Sequence, residues 1–117
     1  MVKSPSLEWF DELPCSVTVC DREYTILYMN DRSAEVNAAD GGKSLIGKNL
    51  LDCHPPEAAA KLKRVMASGH PNIYTVDKKG VRKMVYQAHW RKAGRVAGLI
   101  EITFELPSEV PNFVRTP

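Results

Sequence analysis

Between residues 56 and 68 apolar and polar positions recur on a helical period. Ala58, Leu62, Val65 and Met66 stand at i, i+4, i+7 and i+8, one apolar stripe with charges on the other side. The spacing predicts a helix. Pro55 or Pro56 suits its first position, where a missing N–H costs nothing, with His54 or Asp52 at or just before the cap. Glu57 and Lys61 pair on the polar side, and Gly69 followed by Pro71 stops the helix. In front of it runs Leu45-Ile46-Gly47-Lys48-Asn49-Leu50-Leu51-Asp52-Cys53-His54: a small-residue turn, an apolar run, a thiol and an imidazole. Cys53 and His54 therefore sit where an irregular segment meets a core-facing helix, a good place for a pocket.

Elsewhere the period is two. Residues 15–20 are β-rich, Asp21-Arg22-Glu23 turns, and residues 24–29 read as a second strand, giving a hairpin. Residues 72–76 form a strand, and Asp77-Lys78-Lys79-Gly80 turns with glycine where a left-handed residue is wanted. Residues 81–91 make a full-length strand, Lys92-Ala93-Gly94 turns again, and residues 95–106 return. In that last strand Ile100, Ile102 and Phe104 alternate with Glu101, Thr103 and Glu105, which predicts one wet face. On residues 81–91, Met84, Tyr86, Ala88 and Trp90 share one face and Val85, Gln87 and His89 the other; the pattern leaves open which lines the core.

The connecting pieces are short. Ser4 or Ser6 can cap an N-terminal helix carrying Leu7, Phe10 and Leu13, with Trp9 beside them and Pro14 as its stop. Such a helix is not stable alone, so its aromatic side must dock. Asn30 or Asp31 caps a helical segment reaching Ala38 or Ala39, and Asp40-Gly41-Gly42 breaks it. Pro107, Pro111 and Pro117 rule out a helix after the last strand, leaving an extended tail whose Val110, Phe113 and Val114 are available to pack on a sheet.

Composition narrows the class. A chain of 117 residues, 44% hydrophobic and 26% charged, is one globular domain, able to bury about two-thirds of its unfolded surface. Sixteen basic against fourteen acidic residues give +2, too balanced to argue for nucleic acid or a membrane surface. The basic residues gather at opposite ends of the long strand, Lys78, Lys79, Arg82 and Lys83 against Arg91, Lys92 and Arg95. A strand of about ten residues holds those groups ~30 Å apart. No apolar run approaches the ~20 residues of a membrane span, and the N-terminus lacks the build of a signal peptide. Three cysteines with no paired spacing argue against a disulfide framework, and a cytoplasmic domain is expected.

The order of two strands, short helices, one longer helix and a three-stranded meander resembles a PAS domain. Residues 15–21 resemble the family's first strand with its acidic turn, and Tyr28-Met29-Asn30 its strand ending in asparagine. Leu45-Ile46-Gly47-Lys48-Asn49-Leu50-Leu51 resembles the hydrophobic-Gly-Lys-hydrophobic segment, and Gly98-Leu99-Ile100-Glu101-Ile102 the final strand. Asp52-Cys53-His54-Pro55 is similar to PAS modules found beside hemerythrin-like domains in prokaryotic sensor proteins. The resemblance covers roughly residues 7 to 106. It divides the chain into an N-terminal helical cap at 1–14, a PAS-like domain at 15–106 and an extended tail at 107–117. It implies an α+β fold: a five-stranded antiparallel sheet with helices packed on one face and a cavity between them.

The resemblance further implies a sensory or interaction role rather than an enzyme. The expected cavity residues are Cys53, His54, Leu62, Met66, Tyr86 and Asn30. A small organic ligand ranks ahead of haem or flavin. His54 is the candidate haem ligand, Cys53 the alternative, and the competing role for His54 is a ring nitrogen capping a backbone group. Cys53 is expected to be a buried apolar filler, and Asn30 a helix cap before it is a ligand contact. Cys15 and Cys20 point to opposite faces of a strand and cannot chelate one metal. A small-molecule sensor competes with a ligand-free dimerisation module acting through Trp9, Phe10 and the open sheet face. Sensors of this kind commonly pass their signal down a coiled-coil helix. If the chain is the whole protein, the proline-bearing tail implies output through a signalling partner or through self-association; if it is a piece of a longer protein, the output lies in the remainder.

Overall fold

The computed structural model describes residues 7–117; the expected cap at Ser4 or Ser6 lies outside the described residues. The N-terminal helix is a single 3₁₀ turn, Leu7–Phe10, shorter than its apolar spacing suggested. Strands β1 (Ser16–Asp21) and β2 (Ile26–Met29) form the first hairpin, followed by helix α1 (Asp31–Val36). Three further 3₁₀ turns, Ala38–Asp40, Gly42–Leu45 and Leu50–Cys53, carry the irregular middle to helix α2 (Pro56–Ser68). Strands β3 (Asn72–Lys78), β4 (Val81–Lys92) and β5 (Arg95–Glu105) complete an antiparallel sheet in the order β2-β1-β5-β4-β3. The α+β architecture is the expected one.

Local chemistry explains the joints. Pro55 caps α2 and Pro56 opens it, so His54 lies one residue before the cap. Gly69, at φ 70°, ends the helix in the left-handed conformation that glycine adopts without penalty. The β3–β4 and β4–β5 hairpins turn on two residues each, with positive φ at Lys79-Gly80 and Ala93-Gly94. β2 is an edge strand whose free side is covered at its first residue and just before it. Gly47 N donates to Ile26 O at 2.7 Å, Ile26 N to Lys48 O at 2.9 Å and Leu50 N to Tyr24 O at 2.7 Å.

Helix α2 lies across the sheet by the stripe its sequence presented. Leu62 and Val65 are buried against Cys20 of β1 and Leu99 of β5, with Met66, Leu50, Leu51 and Tyr24 packed around them. Burying each large aliphatic side chain contributes roughly 1.5–3 kcal/mol. Leu50 also reaches a second cluster, Ile26, Met29 and Leu45, which roots the irregular segment.

The two faces of the sheet reverse the expectation of a wet polar face on β5. Leu99 packs under α2, so Glu101 and Thr103, two and four residues on, share that inner face. Across the ladder Gln87 stands opposite Glu101, and His89 opposite Leu99. Ile102, Phe104, Tyr86 and Ile73 lie on the outer face, where Ile73 is 59% exposed. An alternating strand has two faces, but what packs on each is decided outside the strand.

The tail follows Leu106, whose N–H donates to Arg82 O at 2.8 Å. Residues 107–117 form no regular element, as expected of an extended tail, and Val110, Phe113 and Val114, available to pack on a sheet, stay 60%, 71% and 87% exposed. Among the described residues no helix is long and apolar enough to cross a membrane.

Candidate functional site

A cavity of about 130 Å³ lies between α2, the inner face of the sheet and the irregular segment 37–54. Leu62 of α2 and Leu99 of β5 supply apolar wall, Leu45 and Leu50 close one side, and Cys53 and His54 border it in front of the helix. The polar part comes from the sheet, through Thr18, Gln87 and Glu101.

Those polar groups form a row. Asn72, Gln87, Glu101 and Thr18 are register partners on four adjacent strands, so their side chains stand at one height on the inner face. Asn72 Nδ2 donates to Gln87 Oε1 at 2.9 Å, and Gln87 Nε2 donates to Glu101 Oε2 at 2.8 Å. A carboxylate oxygen only accepts, so Glu101 determines which way the Gln87 amide faces. Gln87 is buried with both ends of its amide satisfied. Thr18 Oγ1 shares a 2.5 Å hydrogen bond with Ser33 Oγ, tying the end of the row to α1.

The structure places three of the six expected residues at the cavity: Cys53, His54 and Leu62. Cys53 is exposed instead of a buried filler; its Sγ makes only a 3.8 Å contact to Asn49 O. The buried thiol is that of Cys20, which burial pushes up from its ordinary pKa. His54 Nδ1 donates to Leu50 O at 2.8 Å, which is the backbone-capping role.

The other three are elsewhere. Met66 packs on the Cys20–Leu99 cluster outside the cavity lining. Tyr86 lies on the outer face of the sheet, opposite Ile102, because Gln87 and His89 take the inner one. Asn30 is fully buried as a structural knot. Its Oδ1 accepts from Val17 N and Ser33 N, both at 3.0 Å, and its Nδ2 donates to Phe10 O at 2.9 Å and Cys15 O at 2.8 Å. No lone pair or N–H remains to meet a ligand.

Sequence reasoning missed Gln87 and Glu101. The available signal was a polar residue in each of the neighbouring strands at heights that coincide only once register is known.

The cavity tests the chromophores too. An enclosed space of ~150 Å³ accepts benzene. At about 130 Å³ this one is single-ring sized, smaller than a haem macrocycle or a fused flavin ring system. Among the described residues no three His, Cys, Asp or Glu side chains are grouped to hold a metal ion.

The fold is shared with several solved structures. The C-terminal domain of a Streptococcus mutans protein is 24% identical with a TM-score of 0.68, the match covering 82% of this chain and 78% of that one. A sensory box sensor histidine kinase from Vibrio cholerae is 18% identical with a TM-score of 0.63, covering 86% and 88%. The Vibrio cholerae VqmA dimer is 20% identical with a TM-score of 0.65, covering 89% of this chain; the match spans 52% of VqmA. No curated protein matches the chain in sequence. The PAS fold pattern matches residues 10–106. With most of its length matched, and with the five-stranded sheet and helix-bounded cavity in place, this chain belongs to the PAS family.

Proposed function

We propose that the domain is a cytoplasmic sensory module that takes a small organic molecule into the cavity between α2 and the sheet. The observation that carries this reading is the Asn72–Gln87–Glu101 row facing a single-ring-sized cavity. A core built only for stability gains nothing from a carboxylate and an amide on its inner face, since desolvating them costs free energy that apolar groups would not. A concave apolar site with a few convergent polar groups is the arrangement that recognises small ligands. VqmA, which shares the fold, has been solved bound to DPO, which supports a ligand here as well.

The domain works by binding rather than turnover. Cys53 and His54 each turn to a backbone carbonyl, Asn49 and Leu50 respectively, and not to one another. These two side chains therefore do not make a nucleophile–base pair with one another. The basic residues, divided between the two ends of the β4 hairpins, also favour a domain that does not itself grip nucleic acid.

A second reading, pairing with another copy or a signalling partner, is favoured by one further observation. Ile73, Tyr86 and Ile102 form an apolar row across three strands of the outer face, and Trp9, 54% exposed, stacks on Phe10 at 3.7 Å. Exposed apolar groups of this kind mark contact surfaces, and VqmA is described as a dimer.

Native mass spectrometry of freshly purified protein tests both. The expected result is a retained small-molecule adduct on a dimeric species, with Trp9→Ala or Ile73→Lys shifting it toward monomer. Protein without an adduct, whose unfolding temperature no member of a small-molecule library raises, would sink the sensory reading; a strictly monomeric wild type would sink the pairing.

A further inference from the structure

We propose that the cavity selects ligands with one small ring and a positively charged nitrogen, held by Glu101. The inference deepens the sensory reading and rests on it. Size comes first. A volume of about 130 Å³ admits one ring of about five or six atoms, with a substituent able to reach the polar row.

Charge decides the rest. Glu101 Oε2 accepts from Gln87, and Oε1 makes no hydrogen bond or ion pair among the described residues. The cavity lining also holds Asp40 but neither lysine nor arginine. Its one basic side chain, His54, has Nδ1 committed to Leu50 O. Glu101 is half-buried at the wall of an apolar cavity, and a cationic donor offsets the solvation its carboxylate gives up when a ligand covers it. An anionic ligand would meet the same carboxylate with no counter-charge.

The neighbouring groove, of about 400 Å³, shares Glu101 and Asn37 with the cavity and brings Arg32 and Lys83 near. Arg32 is already engaged with Glu35 at 2.8 Å and Glu105 at 3.6 Å. Lys83 stands opposite Glu105, four residues along the strand from Glu101. Neither lines the smaller cavity, so its two carboxylates, Glu101 and Asp40, set its sign, and Glu101 is the one in the polar row.

Three ring compounds of nearly equal size separate the possibilities: cyclopentylamine, cyclopentanol and cyclobutanecarboxylate. Each is titrated into the whole chain while amide resonances are followed by NMR. The amine is expected to shift Gln87, Leu99 and Glu101 and to bind about tenfold more tightly than the alcohol, with the carboxylate weakest. Glu101→Gln is expected to erase the preference for amine over alcohol. Should that variant fail to fold, the wild-type ranking alone decides. A carboxylate binding as well as the amine, or an amine preference that survives in Glu101→Gln, overturns the assignment and leaves the small-molecule reading standing. If none of the three shifts cavity residues, both fall.

Discussion

His89 Nε2 stands 2.7 Å from the carbonyl oxygen of Val65 and 3.2 Å from that of Met66, so a side chain of β4 closes the last turn of α2. Carbonyls only accept, which puts the ring proton on Nε2. The last four carbonyls of a helix have no partner within it. Ser68 Oγ supplies Val65 O with another donor at 2.9 Å, so the effect of losing His89 is moderate. His89→Ala is expected to cost about 1 kcal/mol and to speed amide exchange at the C-terminal end of α2 ahead of the rest of the domain. Unchanged exchange there would remove this contact from the account of how α2 is held.

Asn30→Asp is expected to be far more damaging than its size suggests. The carboxylate keeps the acceptor for Val17 N and Ser33 N but turns an oxygen toward the carbonyls of Phe10 and Cys15. Two half-buried acceptors lose their donor and face a negative charge. A loss of about 3 kcal/mol or more is expected in chemical denaturation, with Asn30→Ser less severe.

Gly98 is required by a neighbour on the opposite strand. Trp90 Nε1 donates to Cys20 O at 2.8 Å, across β5 at Gly98. A Cβ on Gly98 would stand 1.9 Å from Cys20 O and 2.7 Å from Trp90 Nε1. Both backbone and indole would have to move. Gly98→Ala is expected to destabilise by about 2–3 kcal/mol and to red-shift Trp90 emission as the ring is displaced; Trp90→Phe, losing only the hydrogen bond and some area, by about 1–2 kcal/mol.

Tyr28 gives the fold an alkaline dependence. Burial, then the 2.6 Å hydrogen bond to Asp11 and the charge of Asp11, push its hydroxyl from about 10 up to about 12. The folded state therefore holds the phenolic proton more tightly than the unfolded chain. The resulting stabilisation is complete below pH 10 and is lost as pH rises toward 12. The stability difference between wild type and Tyr28→Phe should be constant at neutral pH and shrink across that window. A difference that grew with pH would contradict the assignment.

The thiols should react in an order set by exposure. Cys53 is exposed, Cys15 half-buried and Cys20 buried with its thiol pushed up by desolvation. Peptide mapping after brief alkylation is expected to find Cys53 modified first. Cys20 should be slower by a factor on the order of 10³ or more, reacting only as the domain opens. Early labelling of Cys20 would mean that α2 is not seated on β1 and β5.

The sequence by itself determined the elements and their order. The helical stripe Ala58, Leu62, Val65 and Met66, the stops at Gly69 and Pro71, and the alternation along residues 81–106 are local patterns that survive any packing. Asn30 as a cap was legible for the same reason: its bond to Ser33 N spans three residues. Its bonds to Phe10 O and Cys15 O span twenty and fifteen, and they turned a candidate ligand contact into a buried knot. Tertiary structure alone decided which strand faces look inward. It put Glu101 and Gln87 against the cavity and Tyr86 outside, because α2 lands on the face that carries Leu99 and Cys20. Alternation along a strand specifies two faces, and only the element that lands on one of them decides which is the interior.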